Sequence, residues 1–456
     1  MPDNIPRKGG AGGNASAWKA VTKYALGSRP FVATGDPGNI PTTTFAAKQA
    51  GYKILSLRDG VTKEDMAAGQ GFEDVQARVT TRALMKALML EELSFLGGNV
   101  TALGAVTGLA AAAVASVGDT TDGGSAWTNV AWYFNVVPVT VMGLEYLRSL
   151  ATPVSVLYPK DYNGTDALMA APTTGPTITT GTALGIGTYV GAPTNVTATP
   201  ATTGGVRLTW APLAGAAAYI IFHGTTNDAT VAALGVVAQT AVTLTSRNTT
   251  AGSALSVFAT DNSGDSLAYD GILSQLAAAG SGAYIRNLRN KLSQSGGEIV
   301  EIQDALAGIY NNTKVGEHWI LVGAQEQRTI TKLGVAAGGG PTLFVDPNAA
   351  VRATLTQGYR VKDIYNGSTG EICSVIAVPW LPGGTIIIIP KSIPYDDANQ
   401  GSPFDWMGGY DCTRFDYPMT PTSGGARAYP FEVACWGVLR GVFTGGCGLI
   451  TGVLKS

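Results

Sequence analysis

Charge is what this sequence has least of for its length. Asp, Glu, Lys and Arg make up 14% of its 456 residues, against about 25% in ordinary soluble domains. The formal net charge is −2, which argues against a dedicated nucleic-acid-binding domain, since that would show a basic stripe. Histidine is scarcer still. His223 and His318 are the only two, so histidine-based catalysis or metal binding has little to work with. The four cysteines, Cys373, Cys412, Cys435 and Cys447, all fall in the last fifth without a C-x-x-C spacing. They read as buried free thiols, and no zinc site or disulfide framework is expected. No apolar run is long enough to span a membrane; the Ala-rich run 108–117 is far too short. The first residues, MPDNIPRKGGAGG, lack the apolar core of a signal peptide, which points to a reducing cytoplasm. The N-x-S/T triplets at Asn14 and Asn195 then follow from a Thr-rich composition.

Catalytic motifs are missing as well. There is no G-x-S-x-G and no P-loop lysine. Gly338–Gly340 lacks the Lys-Ser/Thr of a phosphate cradle. The run GIGTYVG at 185–191 has the wrong glycine spacing for a dinucleotide loop and no helix after it, so it reads as linker. Asp396 and Asp397 sit in a polar stretch and read as a solvated turn. His223 reads as a surface residue. His318 has no second ligand nearby in sequence. No catalytic, cofactor-binding or metal-binding residue is expected, and the chain does not read as an enzyme.

Glycine and apolar residues are abundant: 60 Gly, and 45% of the chain apolar. A sizeable core is available, but much of the surface must be small and neutral. Such a surface is commonly covered by neighbouring molecules.

Against this background one stretch stands out. Residues 71–98, GFEDVQARVTTRALMKALMLEELSFLGG, contain no internal Pro or Gly and are rich in strong helix formers. Val75, Val79, Ala83 and Ala87 recur four apart with Leu84, Met85 and Leu88 beside them, giving a wide apolar face. Glu73 and Asp74 suit the positive end, and Gly97 and Gly98 the stop. About 25 residues at 1.5 Å rise predict a rod of roughly 37 Å.

The rest is ordered around that rod. Residues 1–40 read as an arm with Trp18, Tyr24 and Phe31 as spaced apolar anchors, either laid on a neighbour or loosely packed. Residues 41–71 read as an extended loop. After the helix, 129–142 reads as a strand that Pro138 demotes towards an edge, followed by a short helix at 143–151. Helical spacing at Ile299, Ile302, Leu306 and Ile309 predicts a helix over 296–314. A strand at 319–322 and a further helix follow, and then a β-rich final third. The all-apolar run 386–389 predicts a strand buried on both faces.

Residues 192–266 change character. Pro193, Val196, Val206-x-Leu208-x-Trp210-x-Pro212, Gly215, Tyr219-x-Ile221 and Val257-x-Ala259-x-Asp261-x-x-Gly264 resemble the fibronectin type III pattern. That resemblance implies a two-sheet sandwich with Trp210 and Tyr219 in its core. Leu255 stands where the family has its late-strand Tyr, so no tyrosine corner is expected.

The order of parts resembles the major capsid proteins of tailed bacteriophages. It is carried by GYKILSL (51–57), the helix end LEELSFLGGN, YDGILSQL and HWILVGAQEQRTI. The resemblance implies an α+β, HK97-like capsid fold: arm 1–40, extended loop 41–71, spine helix 72–97 and capsid core 98–191. The immunoglobulin-like insertion at 192–266 would then separate that segment from further core, with axial and peripheral domains, at 267–456. It also implies a subunit that self-assembles into hexamers and pentamers of an icosahedral virion shell, put together in a bacterial cytoplasm. That shell would enclose double-stranded DNA bound without base readout, with decoration, scaffold or portal proteins as further partners and the insertion facing outward. Rival readings are a tail-tube or decoration protein, and a secreted adhesion or carbohydrate-binding protein.

Overall fold

The computed structural model describes residues 5–10, 13–23, 31, 34, 43–114, 124–159, 161–162, 167–178, 185–189, 197–198, 204–337, 361–393, 402–417, 420–421 and 427–454. Its architecture is α+β: one long helix, a twisted sheet beneath it, a second six-stranded sheet, and a two-sheet sandwich.

The long helix spans Val75–Gly97. Asp74 caps it, its carboxylate accepting from the Ala77 amide at 3.0 Å, so it begins after the residues first expected to open it. At the other end the Gly98 amide returns to the Ser94 carbonyl. Gly97 is needed there because an added Cβ would lie 2.2 Å from the Val141 Cβ of the neighbouring helix. The wide apolar face is only partly used. Only Ala83, Ala87 and Glu91 are buried along its middle turns, and everything from Leu93 to Gly97 is buried in the last. Small residues at 83 and 87 bring the helix close to Leu57, Phe431 and Val433 of the sheet.

That sheet runs Lys53–Thr62, Arg427–Gly441, Phe404–Asp416, Arg7–Gly9. Its neighbours are antiparallel except the short N-terminal strand, which pairs parallel with Arg7 opposite Trp406. The structure therefore divides the first 71 residues differently from expectation. Ala15–Lys23 and Thr44–Gly51 form an antiparallel pair, Ala15 opposite Gly51 and Val21 opposite Phe45. The extended excursion is thus made of both the expected arm and the start of the expected loop. Residues 53–62 instead join the main sheet. Trp18 is half-buried on its own chain, its indole donating to the Gly441 carbonyl at 3.0 Å. Tyr24 lies outside the described residues, and Phe31 is exposed.

The sandwich also reaches across a boundary. One sheet runs Thr197–Ala198, Trp132–Val139, Ala218–Gly224, Ala232–Val237, Val156–Leu157. The other runs Ala110–Val114, Gly205–Thr209, Ala241–Leu244, Ala167–Met169, Asp161–Tyr162. Each sheet draws strands from both sides of residue 192, so 98–191 does not form a sheet core by itself. Pro138 sits beyond the two-residue ladder with Thr197–Ala198; on that side its carbonyl accepts from the Gly187 amide at 2.8 Å, a contact that asks no N–H of the proline. Trp210, Tyr219, Val206 and Leu208 meet Phe134, Val136 and Leu244 between the sheets. The expected late strand around Val257 is a 3-10 turn, Leu255–Phe258, which covers the outer face of the first sheet together with the helix Val141–Ser149. The two ends of this unit meet: the Gly271 amide donates to the Gly98 carbonyl at 2.8 Å. Such adjoining ends are what a domain inserted into a surface connection requires.

After the sandwich the chain builds the six-stranded sheet Tyr284–Lys291, Gly448–Leu454, Ile386–Pro390, His318–Val322, Ile372–Ala377, Asp363–Tyr365. Helices Val300–Thr313 and Ala324–Ala337 accompany it. Ile386 and Ile388 face one core while Ile387 and Ile389 face the other, as an apolar run predicts.

Candidate assembly surface

Three features of the body leave large apolar groups in water. The first is the long helix. Ala83 and Ala87 turn inward, so Leu84, Met85 and Met89 turn outward, with exposures of 39%, 53% and 49%. The second is the antiparallel pair 15–23/44–51, where Phe45 is exposed. The third is the face of the main sheet turned away from the helix. There Tyr52 packs edge-on against Trp436 at 5.4 Å, Trp436 meets Tyr410 at 5.8 Å, and Tyr410 meets Phe415 at 5.5 Å. Ile54 stands exposed on the same face, and the Arg58 guanidinium lies over Tyr417 at 5.8 Å. Contiguous apolar groups in water mark interaction surfaces.

The N-terminal strand is pinned behind these surfaces by ions. Arg7 donates to Glu91 of the long helix at 2.6 Å and also bonds Asp411. Glu91 is fully buried; desolvation raises its pKa and the Arg7 guanidinium pulls it back. Lys8 reaches Asp405 at 3.0 Å, and Arg440 grips the same carboxylate through two bonds of 2.7 and 2.6 Å.

No protein-family model and no curated sequence matches the chain. Among solved structures it is similar to the capsid of a native GTA particle, at 8% identity and TM-score 0.39, covering 99% of this chain and 89% of that one. A structure from Mycobacterium phage Bobi is similar at 7% identity and TM-score 0.38, over 99% and 89%. The chain also resembles a virus-like particle protein from Pyrococcus furiosus at 13% identity and TM-score 0.22, with 39% of this chain covered and only 57% of the length of that protein spanned. At such scores the weight falls on the geometry of the chain itself.

The residues singled out in the sequence scatter. His223 is not on the surface. It is buried, stacked on Trp132 at 5.6 Å, with Nδ1 3.3 Å from the Ala232 carbonyl, and burial lowers its pKa to about 4. The strand Ala218–Gly224 is covered on both faces, so its register offers no solvent side. His318 is buried on the six-stranded sheet, with Nδ1 3.0 Å from the Gly316 carbonyl, and burial lowers its pKa to about 4 too. Trp210 is a core residue. Gly185 takes φ +85 and its carbonyl accepts from the Thr140 amide and hydroxyl, so this glycine serves a turn. Gly338–Gly340 and Asp396–Asp397 lie outside the described residues.

Sequence spacing missed one cluster. Glu91, Cys412 and Cys435 come together beneath the long helix; among the described residues they alone group three metal-capable side chains. The sequence signal is faint: odd positions 431, 433 and 435 of one strand face the helix, and Cys412 faces it from the next.

Proposed function

We propose that the chain is the repeating subunit of a closed protein shell, a major capsid protein of the tailed-bacteriophage kind, with a structural role. The observation that carries this reading is the outward row Leu84, Met85 and Met89 on a rod-like helix, together with the exposed Phe45 of the strand pair. A chain so poor in charge gains by burying these groups between copies arranged by symmetry. The shell would enclose double-stranded DNA held through scattered charge, and the finished particle would be the virion. Hexamers and pentamers are the expected rings. Decoration, scaffold and portal proteins are the natural further partners, and the host cytoplasm the place of assembly.

The sandwich would project outward as a peripheral module. Because its sheets use strands on both sides of residue 192, the unit to remove is 100–264, joining Asn99 to Asp265, whose amide donates to the Asn99 carbonyl at 2.9 Å, so that Tyr269 stays packed on Phe95 and Trp406. The trimmed chain should still assemble.

Electron microscopy of the purified full chain tests the main reading. Closed shells support it. Tubes would favour a tail-tube protein, and a persistent monomer at high concentration would sink it.

A further inference from the structure

Glu91, Cys412 and Cys435 come from three different elements: the long helix and two neighbouring strands of the main sheet. A carboxylate oxygen and the two sulfurs lie within 4.8 Å of one another. Glu91 has no solvent exposure. Its Oε2 accepts from Arg7 at 2.6 Å, while its Oε1 is buried without a hydrogen-bond partner. A buried carboxylate oxygen left without a donor needs an explanation, and beside two thiols a bound cation supplies one.

We propose that Glu91, Cys412 and Cys435 form a binding site for a divalent zinc-like cation that ties the long helix to the sheet. Two thiolates and a carboxylate are a donor set that zinc accepts. Tetrahedral coordination, with about 2.3 Å to sulfur and 2.0–2.2 Å to oxygen, places ligand atoms about 3.5–3.8 Å apart. The three atoms lie within 4.8 Å of one another, and rotation about cysteine and glutamate torsions supplies the contraction. Charge also closes. Three anionic ligands and a dication leave one negative charge, which the Arg7 guanidinium offsets from the outer shell while it orients the carboxylate through Oε2. On binding, two S–H protons leave for solvent and two S–metal bonds form; no electron is transferred. Asp411, 59% exposed and bonded to Arg7, marks the side open to water, through which the cation and a fourth ligand would come.

The test is direct. The full chain, stripped with chelator and dialysed, is given zinc alone, and separately cobalt(II) as a spectroscopic probe. One equivalent of zinc per chain is expected, with a thiolate-to-cobalt charge-transfer band in the near ultraviolet. Cys412→Ser and Cys435→Ser should each weaken binding at least about tenfold and abolish the band, and Glu91→Gln should weaken it comparably. Cys373→Ser, distant from the cluster, should leave both unchanged. Circular dichroism confirms that each variant is folded, and Cys435→Ala replaces any Ser variant that is not. Less than stoichiometric zinc in the folded parent, or equal loss with Cys373→Ser, overturns the proposal. Because the readout is metal content and not shell formation, its failure leaves the capsid reading untouched.

Discussion

Replacing Leu84, Met85 and Met89 together with glutamine is expected to raise the concentration at which the chain assembles while leaving the isolated subunit folded. These side chains are between 39% and 53% exposed, so each has roughly half its surface still to bury. Full burial of such a side chain is worth about 1.5–3 kcal/mol. Half of that, over three residues, gives about 2–4 kcal/mol per contact made by this face. At about 1.4 kcal/mol per factor of ten, the critical assembly concentration should rise about 30- to 700-fold. The subunit itself should be nearly indifferent, because glutamine is about as good a helix former as leucine or methionine and none of the three belongs to a buried cluster. Light scattering against concentration reads the assembly threshold, and thermal unfolding of the dissociated subunit reads the second quantity. An unchanged threshold would show that this face stays wet and would refute the reasoning. A lowered melting temperature with an unchanged threshold would show that the face was packed internally after all.

Three further outcomes follow from buried groups. Asp405→Asn leaves Arg440 and Lys8 facing a neutral partner inside the body; a loss of about 3–5 kcal/mol is expected by chemical denaturation of the dissociated subunit. Trp210→Ala opens a cavity between the two sandwich sheets and should cost about 3–5 kcal/mol, seen as a separate, earlier thermal transition of the sandwich. His223 and His318 have folded pKa values lowered to about 4 from an ordinary 6.5. Between those values the unfolded chain binds more protons, so stability falls as pH drops from about 6.5 towards 4, by up to about 3 kcal/mol per histidine. Substitution of His318 by Asn should flatten that part of a melting-temperature-against-pH curve, and an unaltered slope would refute the assignment.

What could be read in the sequence was mainly local. The long helix was legible because its propensity, its Asp74 cap and its terminal glycines all agree within one uninterrupted stretch. The strand Ile386–Pro390 was legible because an unbroken apolar run has no solvent side to choose. The core roles of Trp210 and Tyr219 were also in the pattern, since Val206, Leu208 and Trp210, and again Tyr219 and Ile221, recur at a spacing of two. Everything that failed involved pairing at a distance. Val21 finds Phe45 across a long connection full of turn signals, and nothing in either segment names the other. Trp132–Val139 pairs with Ala218–Gly224 across a Thr/Gly/Pro-rich stretch that looks like a domain boundary. His223 looked exposed because a lone polar residue at a strand end suggests a solvent side, and only the meeting of the two sheets puts Trp132 and Trp127 against its ring. Sequence by itself therefore determined which segments are rod, strand and core, since those follow from backbone propensity and the period of apolar residues. Tertiary structure alone decided which strands share a sheet, which way the helix turns its methionines, and that Glu91, Cys412 and Cys435 meet. Those depend on closing long loops and on sheet register, and neither is written in any one stretch of chain.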